Sequence, residues 1–171
     1  DLRAENGTKT HFFLNSLINL NSSAFNNGKL DIKLERTSND DYLKLYSLEN
    51  ENTIIQDTST LESIIEFKGD KNDFIFNASF ESYETLGKLN SNRYEFVYPN
   101  YSLQKSLEID NNFFQNLDFT SSGNQRTHTT NIKEAVQIND LILSSSTGIF
   151  GIGIEKNFTT LIKNVNSKGS N

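Results

Sequence analysis

A strict two-residue alternation constrains this chain more than any other feature. In Gly28–Arg36, Leu30, Ile32 and Leu34 alternate with Lys29, Asp31, Lys33 and Glu35. Successive side chains of an extended strand point to opposite faces, so this spells a strand with one apolar and one charged face. Thr60–Lys68 places Leu61, Ser63, Ile65 and Phe67 together, with Glu62 and Glu66 opposite. Asp73–Glu81 places Phe74, Phe76, Ala78 and Phe80 against Asn77, Ser79 and Glu81. The intervening Lys68-Gly69-Asp70-Lys71-Asn72 reads as a hairpin turn. Lys9–Asn21, Tyr101–Ile109, Asn116–Ser121, Asn131–Leu143, Phe150–Ile154 and Asn157–Val165 supply further strands, giving about eight or nine in all. Turns such as Asn26-Asn27-Gly28 are rich in Asn, Gly, Ser and Asp. Short connections imply antiparallel neighbours. The expected fold is therefore all-β, an antiparallel up-and-down meander. Asn39–Asn50 breaks the pattern: Tyr42, Leu43, Leu45, Tyr46 and Leu48 fit a short helical turn or a partly buried loop.

Composition narrows the function. The apolar fraction is 35%, yet the chain holds 13 Phe and 6 Tyr, too aromatic for a disordered chain. A net charge of -6 excludes the basic face that a nucleic-acid binder needs. No cysteine is present for a disulfide or a thiolate metal site. No apolar run is long enough for a transmembrane helix, but barrel strands need only about 9–11 residues each. The chain starts at Asp1, contains no Met and stops within a turn-like Asn164–Asn171 segment, and is read as an internal fragment, 1–171 being part of one domain.

Alternation alone leaves two architectures open. A soluble β-sandwich or small β-barrel, serving as a ligand-binding or interaction module, turns its apolar face inward; an outer-membrane barrel turns it outward. Aromatics near strand ends (Phe12, Phe13, Tyr42, Tyr94, Phe96 and Tyr98 among them) fit the girdles of a membrane barrel.

Four segments then resemble one family. Leu34-Glu35-Arg36-Thr37-Ser38-Asn39-Asp40-Asp41-Tyr42-Leu43-Lys44 resembles a stretch of the barrel domain of LptD, the lipopolysaccharide-assembly outer-membrane family, with Thr37 where that family would carry Val. Leu61–Glu84, ending in Tyr83-Glu84, is similar to its following hairpin. Tyr94–Tyr101, with Pro99 (the chain's one proline) and Tyr101, is similar to a later stretch, and Phe119–Gly123 with Asn139-Asp140 follows in the same order. The resemblance implies an internal fragment of a transmembrane β-barrel in the outer membrane of a Gram-negative bacterium, with the periplasmic jelly roll and remaining strands absent. It implies lipopolysaccharide transport and assembly, with lipopolysaccharide, an LptE-like lipoprotein plug, the periplasmic Lpt bridge and outer-membrane lipid as partners. Arg36, Ser38, Asp41, Tyr42, Tyr83, Glu84, Pro99 and Tyr101 are the signature positions. Their expected role is structural: Arg36 pairing with Asp40 or Asp41, and the Tyr42 ring covering a strand end.

No catalytic constellation, cofactor motif or metal set emerges, and no enzyme is expected. Ser102-Leu103-Gln104-Lys105 matches the S-x-x-K of serine acylases but lacks the partner motifs and falls in a strand. The glycines of Gly148–Gly153 have the wrong spacing for a dinucleotide fingerprint and fit a bent strand. His11 and His128 have no ligand-spaced neighbours, and Asn39-Asp40-Asp41 does not fit a calcium loop. Glu62 and Glu66 share a strand face but lie roughly 13 Å apart, beyond glycosidase spacing.

Overall fold

The computed structural model describes residues 10–45, 59–89, 92–109, 113–146, 148–149 and 151–170. Seven long strands follow in chain order: β1 (His11–Leu20), β2 (Asn27–Thr37), β3 (Thr60–Lys71), β4 (Phe74–Thr85), β5 (Tyr94–Glu108), β6 (Phe114–Thr127) and β7 (Lys133–Ser145). A short helix, α1 (Tyr42–Leu45), lies between β2 and β3. Two short strands, β8 (Gly148–Ile149) and β9 (Glu155–Lys156), pair with each other before the last long strand, β10 (Thr159–Ser170). The long strands form one eight-stranded antiparallel sheet in the order β1-β2-β3-β4-β5-β6-β7-β10. The meander expected from the alternation is the fold. The sheet is open, with β1 and β10 as its edges.

Turn chemistry explains the connections. Asn72 and Asp73 join β3 to β4, with Asn72 in the left-handed region (φ 52), which Asn tolerates better than most residues. Turn formation is therefore later than the sequence pattern suggested, because Lys68–Lys71 pairs with Phe74–Asn77 instead of turning. Between β1 and β2 the chain folds back so that the Asn26 N–H reaches Asp70 O (2.8 Å) and the Phe25 ring lies over the facing pair Gly28 and Gly69. A Cβ on Gly69 would sit 2.9 Å from that ring, so the bare backbone is what lets Phe25 close over it. The β5 strand begins at Tyr94 rather than Tyr101 and absorbs Pro99 at a register shift between Val97 and Asn100, where proline's missing donor is tolerated.

Three further expectations need correction. Of Phe150–Ile154, residues 151–154 are not a strand but a loop before β9, with Gly153 at φ 79, and Phe150 lies outside the described residues. Asn116–Ser121 extends to Phe114–Thr127, because neighbouring strands supply the pairing that its Ser, Asn and Gly content concealed. The final strand is Thr159–Ser170, offset from Asn157–Val165. Within Asn39–Asn50, the helical turn is limited to α1; Tyr46 and Leu48 lie outside the described residues.

Among the described residues, Leu43, Leu61 and Val97 are the buried hydrophobics, whereas Phe80 is 59% exposed and Phe12 56%. Among the described residues no second sheet covers the long strands, β8 and β9 forming only a two-stranded ribbon, so there is no sandwich core and much of the apolar alternation is exposed.

Candidate functional site

Cross-strand register sorts the side chains onto two faces. Asp31, Lys33 and Glu35 of β2 share a face with Glu62 and Glu66 of β3, Ser79 and Glu81 of β4, Asn100 and Ser102 of β5, and Asp118 and Ser122 of β6. Hydrogen bonds knit this polar face across successive strands. Lys33 Nζ lies 2.8 Å from Glu62 and 3.2 Å from Glu35. Asn77 donates to Glu66, which also pairs with Lys68 at 2.7 Å. Glu81 accepts from Ser79 Oγ (2.6 Å), Tyr83 OH (2.8 Å) and Asn100 Nδ2 (2.8 Å). Further along, Ser106 donates to Asp118, Arg126 pairs with Glu95, and Lys163 pairs with Asp140. A cleft of about 360 Å³ opens on this face between Glu66, Glu81, Asn100 and Asn124, and a second of about 480 Å³ lies near Lys29, Lys68 and Asn77. Both of these clefts lie on the polar face; a smaller one of about 200 Å³, among Gln125, Lys133, Ala135 and Lys168, lies on the other.

The opposite face carries the apolar series, and that series drifts. Ile32 lies at the centre of the β2 stretch, and its line of cross-strand partners runs through Ile65 and Phe80. On β7 the apolar stretch has moved to Leu141, whose line runs back through Phe119 and Lys105 to Phe74. Phe74 lies six residues below Phe80 on β4, and β7 is five strands from β2, so the stretch descends by about one residue per strand. On the neighbouring line of the same face the residues become polar as it crosses the sheet: Leu30, Phe67, Ala78 and Tyr101 lead to Gly123, Gln137 and Asn166. Division is less clean on β7, where Val136, Ile138 and Ile142 share the polar face, and Lys105 interrupts the apolar one.

At one end of the sheet β2 leaves β3 after the Lys33–Ile64 pair, and the 38–45 segment fills the gap. Leu43 and Leu61 pack there, joined by Phe13, Tyr42 and Leu86. Arg93, 4% exposed, fixes the segment: its Nε lies 2.7 Å from Glu84 and its Nη1 2.9 Å from Asp40, whose carboxylate also accepts from Gly87 N–H. The hydrogen bonds to Asp40, and then to Glu84, outweigh desolvation and hold the Arg93 guanidinium above its ordinary proton affinity. The loop leaving β2 is thus clamped to the turn between β4 and β5.

The signature positions divide between these features. Arg36 is exposed on the apolar face, and Asp40 is held by the buried Arg93 in place of the expected Arg36. Ser38 Oγ accepts from Thr10 N–H. Asp41 is exposed, its N–H bonded to Asn39 Oδ1. The Tyr42 hydroxyl meets His11 Nδ1 at 2.9 Å, at the first residue of β1. Tyr83 and Glu84 serve different features, the Glu81 network and the clamp. Pro99 sits at the register shift, and the Tyr101 ring lies across Gly123. Register places Ser102 and Lys105 on opposite faces, so they form no acylase pair. His128 pairs with Glu134 at 3.0 Å, and among the described residues no cluster of three metal-ligating side chains occurs. Arg93 carries no local sequence signal beyond being an arginine just before a strand. No family model, curated protein or solved structure matches the chain.

Proposed function

We propose that this chain is wall of an outer-membrane β-barrel, with its polar face toward a wet lumen and its apolar face toward lipid. The observation that carries this reading is the descent of the apolar stretch by six residues over five strands. About 3.4 Å per residue against about 4.8 Å between strands makes a slope of roughly 40°. A band of constant height in a membrane must be crossed by barrel strands tilted about 35–45°, and so must drift at that rate. A sandwich core does not impose this drift. Strands of 10 to 15 residues suffice to cross the hydrocarbon layer.

The cargo reading rests on the LptD resemblance of Leu34–Lys44, Leu61–Glu84 and Tyr94–Tyr101. On it, the barrel belongs to a lipopolysaccharide-assembly machine. Sugars would pass along the hydrogen-bonded polar face while acyl chains enter the bilayer, with an LptE-like plug and a periplasmic bridge as partners. No covalent chemistry is required of the wall.

The test uses the full-length protein. Tryptophan replaces Phe80 in one variant and Thr120, on the polar face, in another, and quenching by brominated lipid is measured in vesicles. Strong quenching at position 80 and weak quenching at 120 is expected; equal quenching overturns the barrel. For the cargo, a photo-crosslinking residue replaces Ser102 in living Gram-negative cells. Captured lipopolysaccharide supports the assembly role, whereas an inserted barrel that captures none overturns it.

A further inference from the structure

The polar face is strongly one-signed over half its width. On β2 and β3 its acids are partly offset: Lys29, Lys33 and Lys68 stand among Asp31, Glu35, Glu62, Glu66 and Asp70. On β4 to β7 it carries Glu81, Glu95, Glu108, Asp118, Glu134 and Asp140, while Arg126 is the one basic strand residue of that stretch facing the same way. The basic residues of these strands otherwise lie on the opposite face, as Lys105 and Lys133. The 360 Å³ cleft on this face is lined by the carboxylates of Glu66 and Glu81 among neutral Asn, Ser and apolar side chains, with no basic residue.

We infer that the polar face along β4 to β7 holds a negative potential that concentrates cations and holds back anions. A hollow lined by one sign of charge beside low-dielectric walls focuses its field, and rings of Asp and Glu make pores cation-selective. The ion pairs of Glu95 and Asp140 remove part of the charge; Glu81 is held by hydroxyl and amide donors and keeps its own. This inference rests on the barrel reading. On the lipopolysaccharide reading, the cargo's phosphates meet this wall with their counter-cations attached.

The chain contains no cysteine, so a single introduced thiol reports on its site. Ser102→Cys, exposed beside the cleft, is placed in the full-length protein in vesicles, with Phe80→Cys on the other face as reference. Each is reacted with a cationic and an anionic methanethiosulfonate of similar size. The cationic-to-anionic rate ratio at position 102 is expected to exceed that of a free thiol by roughly tenfold and to fall toward it in 1 M salt. Adding Glu81→Gln should lower the ratio; the salt arm decides alone if that variant does not insert. A ratio at or below the free-thiol value, or one unmoved by salt, overturns the inference. Labelling of Phe80→Cys from water as fast as Ser102→Cys overturns the barrel reading instead.

Discussion

Ile64 and Ile65 are adjacent on β3, yet the structure places them on different faces, and arginine at each separates lipid from water. Ile65 is 44% exposed, lies on the partner line through Ile32 and Phe80, and so sits near the middle of the apolar band. If that face meets lipid, Ile65→Arg should destabilise by about 2–4 kcal/mol, the range for a guanidinium near the bilayer midplane. If it meets water, an exposed position should tolerate the change to within about 0.5 kcal/mol. Ile64→Arg places the same group on the polar face, beside Glu81 by register, where a positive charge has a partner; the expected change is under about 1 kcal/mol. The assay is reversible guanidinium unfolding of the full-length protein from phospholipid vesicles, comparing midpoints at an unchanged slope. Two arginines with equal effects, or a harmless Ile65→Arg in a protein that inserts, would refute the assignment of faces.

Other substitutions test the parts that hold the wall together. Arg93→Ala removes the cation between Glu84 and Asp40 and should destabilise by about 2–4 kcal/mol, at the lower end because the Asp40 side chain is 27% exposed; faster protease cleavage within residues 38–45 should accompany it. Arg93→Lys should recover less than half, since an ammonium cannot reach both carboxylates with a planar fork. The same clamp should be insensitive to alkali: a base whose folded pKa is raised contributes fully below its unfolded value, itself far above neutral for a guanidinium, and fades only as pH rises through the folded one, so protection at pH 10 should equal that at pH 7. Gly123→Ala would put a Cβ 2.8 Å from Val136 O and 2.9 Å from the Tyr101 ring, a strain of about 1–3 kcal/mol by thermal unfolding that Tyr101→Ala should relieve only in part. Phe25→Ala uncovers the Gly28–Gly69 pair and removes the edge contact with Phe67, for about 1–2 kcal/mol.

Where one residue type alternated cleanly with another, the sequence was legible. Gly28–Arg36 and Asp73–Glu81 announce their strands and faces because charge and aliphatic or aromatic bulk trade places at every step. Legibility fails on β6, because Ser121, Gly123 and Gln125 fall on the side that Phe119 and Leu117 make apolar and break the alternation there. It fails again at the rim, where Arg93 meets Asp40 across 53 positions of chain, a pairing that depends on β3 ending between two loops. Arg36, much closer in sequence to Asp40, was the natural partner on spacing, but it is exposed, whereas Arg93 is buried between Glu84 and Asp40. The Glu81 network was hidden for a different reason: its members Ser79, Tyr83 and Asn100 are ordinary polar residues until register brings Asn100 beside Ser79.

The open edges carry a last consequence. Phe12 and Ile18 on β1, and Leu161, Ile162 and Val165 on β10, are exposed at strands that each have one hydrogen-bonded neighbour. In water such edges are templates for pairing with other chains, and in hydrocarbon an unpaired backbone group is destabilising by several kcal/mol. On the barrel reading both edges must therefore meet further strands. Residues 10–170 expressed alone should form detergent-dependent or aggregated material, and should gain a cooperative transition only when flanking strands are supplied. Sedimentation and calorimetry decide it: a soluble monomer that unfolds cooperatively without detergent would mean that this sheet protects its own edges and apolar face, and that the face described as lipid-exposed is covered by some other means.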